Sequence, residues 1–159
     1  MAILDTLEHA GEARSMPCSL PTHYRYTAGV AGQRFLAALR DEGILYGTRC
    51  DKCDYTYLPA RMYCERCFAA LPESAWVKVG PGGTLISFTV VHIDLDGKPL
   101  AAPRRLGLIR LDGADGHLVH DLGELSAQAP RVGARVTAVL KPKTHRSGSI
   151  LDIRHFKPE

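Results

Sequence analysis

Apolar residues follow a helical period in the first third of the chain. Phe35, Leu36 and Leu39 fall on one stripe of a helix, and the alanines between them favour helix formation. Gly43 follows as a natural stop. This pattern predicts a helix over residues 30–42.

After Gly43 the pattern changes to the alternation that is typical of strands. Residues 44–50 and 55–59 predict two short strands, and residues 69–79 predict a connecting bridge that contains Trp76. Five further strands are predicted after a glycine-rich opening, at residues 84–93, 106–111, 118–122, 135–140 and 150–156. Asp-Gly and Ser-Gly pairs at several breaks favour turns, and five short strands of this kind are typical of an OB-type barrel.

Four cysteines lie at or after the ends of the first two predicted strands. They form two pairs, Cys50-x2-Cys53 and Cys64-x2-Cys67, with ten residues between the pairs. This spacing lets two tight turns bring four thiolates onto one ion, so it predicts a structural zinc site with no open position. A redox pair or unrelated thiols are the alternatives.

The residue that follows each cysteine pair leaves the geometry of the turns open. A small flexible residue is common there, but this chain has Asp54 and Phe68. Aspartate adopts the left-handed conformation tolerably and phenylalanine less so.

These patterns together predict a mainly β protein with an N-terminal helix, in which a rubredoxin-like zinc ribbon precedes a five-stranded OB-fold barrel. Gly11, Pro17 and Pro21 interrupt any long element before the helix, which indicates an N-terminal arm. The predicted divisions are an arm at 1–29, a helix at 30–43, a zinc ribbon at 44–79 and an OB-fold domain at 80–159.

Composition narrows the class of protein. The chain has 159 residues, of which 45% are apolar and 23% charged, as in globular proteins. No apolar run approaches the ~20 residues of a membrane-spanning helix, and the first residues lack the pattern of a secretory signal. We therefore expect a cytoplasmic protein without a membrane partner, in a compartment where clustered thiols hold metal.

Charge gives a weaker indication of ligands. The net charge is only +3, and residues 80–159 carry eleven basic and eight acidic side chains. Five cations in two predicted loops would line one mouth of an OB barrel and favour a phosphorylated ligand, or they are ordinary solvated charges. They are Arg104, Arg105, Lys141, Lys143 and Arg146.

Several other residues carry no strong indication of chemistry. Cys18 lies in the arm without a recognisable partner for catalysis, and we interpret it as a bystander. His117 and His120 are three apart on a predicted strand, so they face opposite sides and do not predict a metal pair. Aromatic residues gather in the ribbon and not in the barrel, which argues against base stacking on the barrel.

In combination, these segments resemble the thiolase-associated zinc-ribbon and OB-fold family, domain of unknown function thirty-five. The resemblance covers about residues 30–156. It is carried by Phe35-Leu36 in the helix, GTRCDKC at 47–53, YLPARMYCERC at 57–67, Trp76, GGTLISFTVVH at 82–92, Pro103 and VGARV at 132–136.

This resemblance implies a non-catalytic partner of a thiolase, a thiolase-like aldolase or a related condensing enzyme, in a hetero-oligomer. It implies that the zinc ribbon docks on the catalytic subunit, that the OB part helps to enclose coenzyme A or its acyl group, and that Arg61 is an interface or coenzyme contact. The acyl-CoA would be an aromatic or branched 3-oxoacyl-CoA of a degradation pathway, although no residue selects it. The chain has neither the length nor the cysteine and histidine constellation for such catalysis alone.

Two other functions stay open at this point. A single-stranded nucleic-acid-binding OB module would show steep salt dependence, although the weak net charge does not favour nucleic acid. A stand-alone acyl-CoA binder would bind coenzyme A without any partner.

Overall fold

The computed structural model describes residues 9, 23, 24, 26–125 and 130–159. It confirms the predicted fold class, which is mostly β with one N-terminal helix, a four-cysteine ribbon and a five-stranded antiparallel sheet. Most of the predicted arm, with Cys18, lies outside the described residues. Within the described residues, no helix has the length and apolar character that crossing a bilayer requires.

Helix α1 spans Gly29–Asp41, one residue earlier than predicted at each end. Phe35, Ala38 and Leu39 are its buried residues, in agreement with the apolar stripe. The helix ends because Gly43 adopts a positive φ of 74° and donates its N–H to the carbonyl of Ala38 at 3.0 Å.

The ribbon is a three-stranded antiparallel sheet in the order β2-β1-β3. Its strands are β1 (Leu45–Cys50), β2 (Tyr55–Tyr57) and β3 (Trp76–Val79). The predicted bridge at 69–79 is therefore wrong in its last four residues, which pair with β1 from Leu45↔Val79 to Thr48↔Trp76. Four residues give too short an alternation to identify a strand that depends on a distant partner.

The barrel sheet has the order β6-β5-β4-β7-β8. Its strands are β4 (Gly82–Ile93), β5 (Pro99–Leu111), β6 (Leu118–Asp121), β7 (Arg135–Leu140) and β8 (Ile153–Pro158). Strand β5 begins seven residues before the prediction because its pairing with β4 continues to Ile93↔Pro99. Residues 150–152 form a 3-10 turn and not the predicted start of the last strand.

The two edge strands of this sheet meet, so the sheet closes on itself. Leu122 forms a parallel bridge with Phe156, and the Gly123 N–H donates to the Phe156 carbonyl at 2.8 Å. The buried core inside joins residues from the helix, the ribbon and the barrel. They include Phe35, Leu39, Leu45, Leu58, Val79, Leu85, Ile109, Ile153 and Phe156. The ribbon and the barrel therefore share one core.

A buried carboxylate organises the loop between β7 and β8. The side chain of Asp152 is fully buried and accepts hydrogen bonds from the backbone N–H groups of Ser147, Gly148 and Ser149 at 2.8–3.3 Å. Burial alone would raise the pKa of Asp152, but these N–H donors hold it below its ordinary value. The charged carboxylate therefore stabilises this loop at neutral pH.

We expect Asp152→Asn to lower the free energy of unfolding by about 2 kcal/mol at pH 7. The reason is that the asparagine NH2 group would face backbone N–H groups, which are also donors. The depressed pKa means that the stabilisation is fully present above the ordinary value of about 3.9 and is lost as the pH falls through the folded-state value. Urea denaturation in the presence of zinc measures the difference.

The matched control is Asp94→Asn, since Asp94 also accepts two backbone N–H groups, at 2.8 and 2.9 Å, but in an exposed turn. The free energy of unfolding of Asp94→Asn should fall by less than about 0.5 kcal/mol. Equal costs for the two variants would contradict the role of burial at Asp152.

Candidate metal centre

The four predicted ligands converge on one point of the ribbon. Cys50 ends β1, and the other three lie in the two turns that follow β1 and β2. The four sulfur atoms lie within 4.8 Å of one another, with 3.6 Å between Cys50 and Cys67 and 3.7 Å between Cys53 and Cys64. A tetrahedral ion with Zn–S bonds of about 2.3 Å places its sulfurs about 3.8 Å apart. The donor set therefore fits structural zinc.

Both turns contain the left-handed residue that the sequence left open. Asp54 has a φ of 48° and Phe68 a φ of 58°. In the second turn the Phe68 N–H donates to the Cys64 carbonyl, and the Cys64 N–H donates to Ala69, both at 2.9 Å. The ligand geometry is thus obtained with a phenylalanine where glycine would carry no strain.

Tyr57 forms a hydrogen bond with Cys64, the most buried of the four ligands. The Tyr57 hydroxyl lies 3.2 Å from the Cys64 sulfur. Burial opposes ionisation of Cys64, but the Tyr57 hydroxyl and the N–H groups of Cys67 and Arg66 outweigh it and lower the pKa of Cys64 to about 6. The same hydrogen bond raises the pKa of Tyr57 to about 12, which keeps the phenol protonated as a donor.

Two other ligand thiols, Cys50 and Cys53, resist ionisation. The neighbouring Cys67 sulfur, with burial, raises the pKa of Cys53 to about 12, and burial raises the pKa of Cys50. Without metal, Cys64 therefore ionises more readily than Cys50 or Cys53. Zinc would release the remaining protons on binding, so its affinity falls as the pH falls.

Sequence reasoning noted that aromatic residues gather in the ribbon, but it missed the role of Tyr57. Tyr57 and Leu71 are buried with the ligands, and Arg66 lies over the Tyr55 ring at 4.0 Å. The alternation of β2 indicates that Tyr55 and Tyr57 share a face, but no local pattern gives the distance from Tyr57 to Cys64.

Among the candidate coenzyme contacts, Arg61 lies beside the metal turn. Its side chain forms an ion pair with Glu65, and its backbone N–H donates to the buried Thr48 hydroxyl at 2.8 Å. This backbone hydrogen bond ties the second turn to β1.

The five barrel cations do not share one end of β4. Arg104 and Arg105 lie on β5, opposite Val91 and Val90 near the end of β4, and Arg104 forms a bidentate pair with Asp121 at 2.9 Å. They are strand residues, because β5 is longer than predicted.

The other three cations follow β7, which pairs with the start of β4 through Gly82↔Thr137. Lys141, Lys143 and Arg146 form one loop, in which the Arg146 Nε donates to the Lys141 carbonyl at 2.8 Å. The expectation of a single mouth lined by all five is therefore corrected: the cations form two groups at opposite ends of β4.

His120 is one of the two histidines that the sequence analysis set aside. His120 is buried, packs edge-on against Phe156 and has its Nε2 3.4 Å from the Ile150 carbonyl. Desolvation lowers the pKa of His120, so it is neutral at pH 7. Within the described residues, the four cysteines are the one group of metal-ligating side chains that converges on a point.

A four-thiolate ribbon that shares its core with a five-stranded barrel defines a zinc-ribbon and OB-fold protein. The chain belongs to the ChsH2 family, also called DUF35. Residues 37–73 match the family model described as the rubredoxin-like zinc ribbon domain of ChsH2, and residues 76–141 match its C-terminal OB-fold domain. The resemblance inferred from the sequence is thereby confirmed.

Solved structures agree with this assignment. A DUF35 protein of unknown function from Sulfolobus solfataricus is 27% identical over 82% of this chain and 87% of its own, with a TM-score of 0.60. A structure described as the Ltp2-ChsH2(DUF35) aldolase is 19% identical over 84% of this chain and 98% of its own, with a TM-score of 0.57, and shows likeness of fold. No curated protein matches the chain significantly.

We expect Cys64→Ser to release zinc and unfold the ribbon, because metal binding supplies folding free energy here. Elemental analysis and thermal denaturation measure the two effects. The comparison variant Tyr57→Phe keeps all four sulfurs, so it should retain zinc with an affinity reduced about tenfold. Full metal content and an unchanged melting curve in Cys64→Ser would refute the assignment.

Proposed function

We propose that this chain is a non-catalytic subunit that docks on the catalytic subunit of a thiolase-type or aldolase enzyme and helps it to bind an acyl-CoA substrate. The observation that supports this most is the family match over both the ribbon and the barrel. A structure of similar fold, described as an Ltp2-ChsH2(DUF35) aldolase, indicates the kind of partner.

The metal centre favours a supporting role. The four cysteine thiolates would fill all four positions of a tetrahedral zinc ion, which would leave none for a water molecule or a substrate carbonyl. Carbon–carbon bond chemistry on a thioester needs a nucleophile or base beside the reacting carbon. In this proposal the catalytic subunit supplies those groups.

The loop between β7 and β8 is the best candidate for contacts with the coenzyme phosphates. Lys141 and Lys143 form no ion pair within the described residues, whereas Arg61 and Arg104 are paired with Glu65 and Asp121. A cation already paired with a carboxylate loses that contact when it binds a phosphate, so the unpaired lysines bind one at lower cost. The buried Asp152 carboxylate accepts hydrogen bonds from the end of this loop, and its backbone carbonyl accepts one from the Lys141 N–H at 2.8 Å.

Co-expression with the neighbouring genes tests the proposed complex. We expect the tagged chain to co-purify with a condensing enzyme of about 40 kDa, a size typical of a two-domain catalytic chain. Mass spectrometry identifies the partner, and turnover of an acyl-CoA by the complex, but not by this chain alone, completes the test. Co-purification with RNA alone would contradict the proposal and favour a nucleic-acid module.

We expect Lys141→Ala with Lys143→Ala to weaken coenzyme A binding to the assembled complex about five- to tenfold, because two charged contacts to phosphate are lost. Calorimetric titration at low and physiological salt measures the affinity. The control is Lys98→Ala, an exposed lysine in the β4–β5 turn, which should leave the affinity unchanged. Equal effects of the two changes would contradict a specific phosphate site in the β7–β8 loop.

A further inference from the structure

Phe68 has a left-handed backbone conformation and an exposed ring, and this combination does not stabilise the fold of the chain. Its φ of 58° lies in the left-handed region, which is costly for an L-residue with a bulky side chain. Its side chain is 81% exposed, so no burial within the described chain offsets that cost. An observed backbone outlier of this kind is a reason to look for a function in the side chain.

The metal turn dictates the conformation but not the residue type. Phe68 follows the ligand Cys67, and its N–H donates to the Cys64 carbonyl at 2.9 Å, so the chain must turn left-handed at this position. Glycine would make the same turn without strain. In the first turn Asp54 tolerates the conformation better, and its carboxylate forms an ion pair with Arg49.

Two further exposed apolar side chains belong to the same hairpin as Phe68. Met62 is 41% exposed and Tyr63 is 63% exposed. The Leu71 N–H donates to the Met62 carbonyl at 2.8 Å, and Tyr63 bridges to Ala70, so both residues lie on the hairpin that carries Phe68. We call Met62, Tyr63 and Phe68 the knuckle patch.

The charged residues of the same hairpin are already engaged. Arg61 and Glu65 pair with each other, and Arg66 lies over the Tyr55 ring. The knuckle patch is therefore an apolar tip whose neighbouring charges are satisfied locally. Its complement is an apolar pocket, since a charged surface would be desolvated without compensation.

The size of the patch argues against a second copy of this chain as its occupant. Phe68 and Tyr63 expose roughly 300 Å² together, taking about 200 Å² for each aromatic side chain. A stable symmetric dimer needs about 800 Å² from each copy, so two knuckle patches alone are too small. A patch of this area suits an aromatic anchor within a larger interface with another protein.

We propose that Phe68 is the anchor that inserts into an apolar pocket of the catalytic subunit, with Met62 and Tyr63 around it. This inference rests on the proposed function and identifies the surface that docks. Because zinc bound by the four cysteines would hold the turn, the backbone at Phe68 is ordered before docking, and only the rotamers of the exposed ring remain to be ordered on binding.

The substitution Phe68→Gly separates docking from folding because the two effects have opposite signs. It removes the ring, so the Kd for the catalytic subunit recovered by co-expression should rise at least about tenfold. It also removes the left-handed strain, so zinc content should stay at one ion per chain, and the Tm of the isolated chain should equal or exceed wild type by up to about 4 °C.

The matched control is Leu95→Ala, a fully exposed apolar residue at the far turn of the β4–β5 hairpin. It should leave the Kd unchanged. The role of Phe68 as an anchor would be contradicted if Phe68→Gly kept the wild-type affinity, or if both variants lost affinity equally. It would also be contradicted if Phe68→Gly lost zinc and had a lower Tm. Failure of the wild-type chain to bind any condensing enzyme would overturn the proposed function together with it.

Discussion

The convergence of four thiolates on one ion is the constraint on which the ribbon depends. The turns that carry the ligands are short and exposed on their outer sides, and the cluster buried with the ligands is small. The neighbouring Cys67 sulfur, with burial, raises the pKa of Cys53 to about 12, so its thiol resists ionisation without metal. A divalent ion reverses that effect, so metal binding and folding of the ribbon are one process.

The order imposed by the metal extends into the barrel. Tyr57 contacts the metal cluster, while the next residue, Leu58, belongs to the main core. Beside them, the Thr56 N–H donates to the Asp115 carboxylate at 2.8 Å, and its carbonyl accepts from the Asp115 N–H at 3.0 Å. Strand β2 thus joins the metal site to the barrel loop after β5. A structural ion can in this way support surfaces that it does not touch.

The sequence predicted the features that depend on local pattern. The helical stripe around Leu39 predicted α1 to within one residue at each end, and the cysteine spacing predicted four thiols that the structure brings together, because each pattern lies within a short segment of the chain. Strand β3, the early start of β5 and the contact between Tyr57 and Cys64 depend on pairing between distant segments, which periodicity does not encode. The separation of Arg104 from Lys141 follows from strand register, which periodicity in the sequence also does not encode.

In the proposed function, the exposed aromatic tip of the ribbon and the lysine loop of the barrel bind partners, and neither depends on chemistry at the metal. X-ray absorption spectroscopy of the purified chain tests this account most directly. It predicts one zinc ion with four sulfur neighbours at about 2.3 Å and no lighter ligand. A nitrogen or oxygen atom in the coordination sphere, or a natively folded chain without metal, would contradict it.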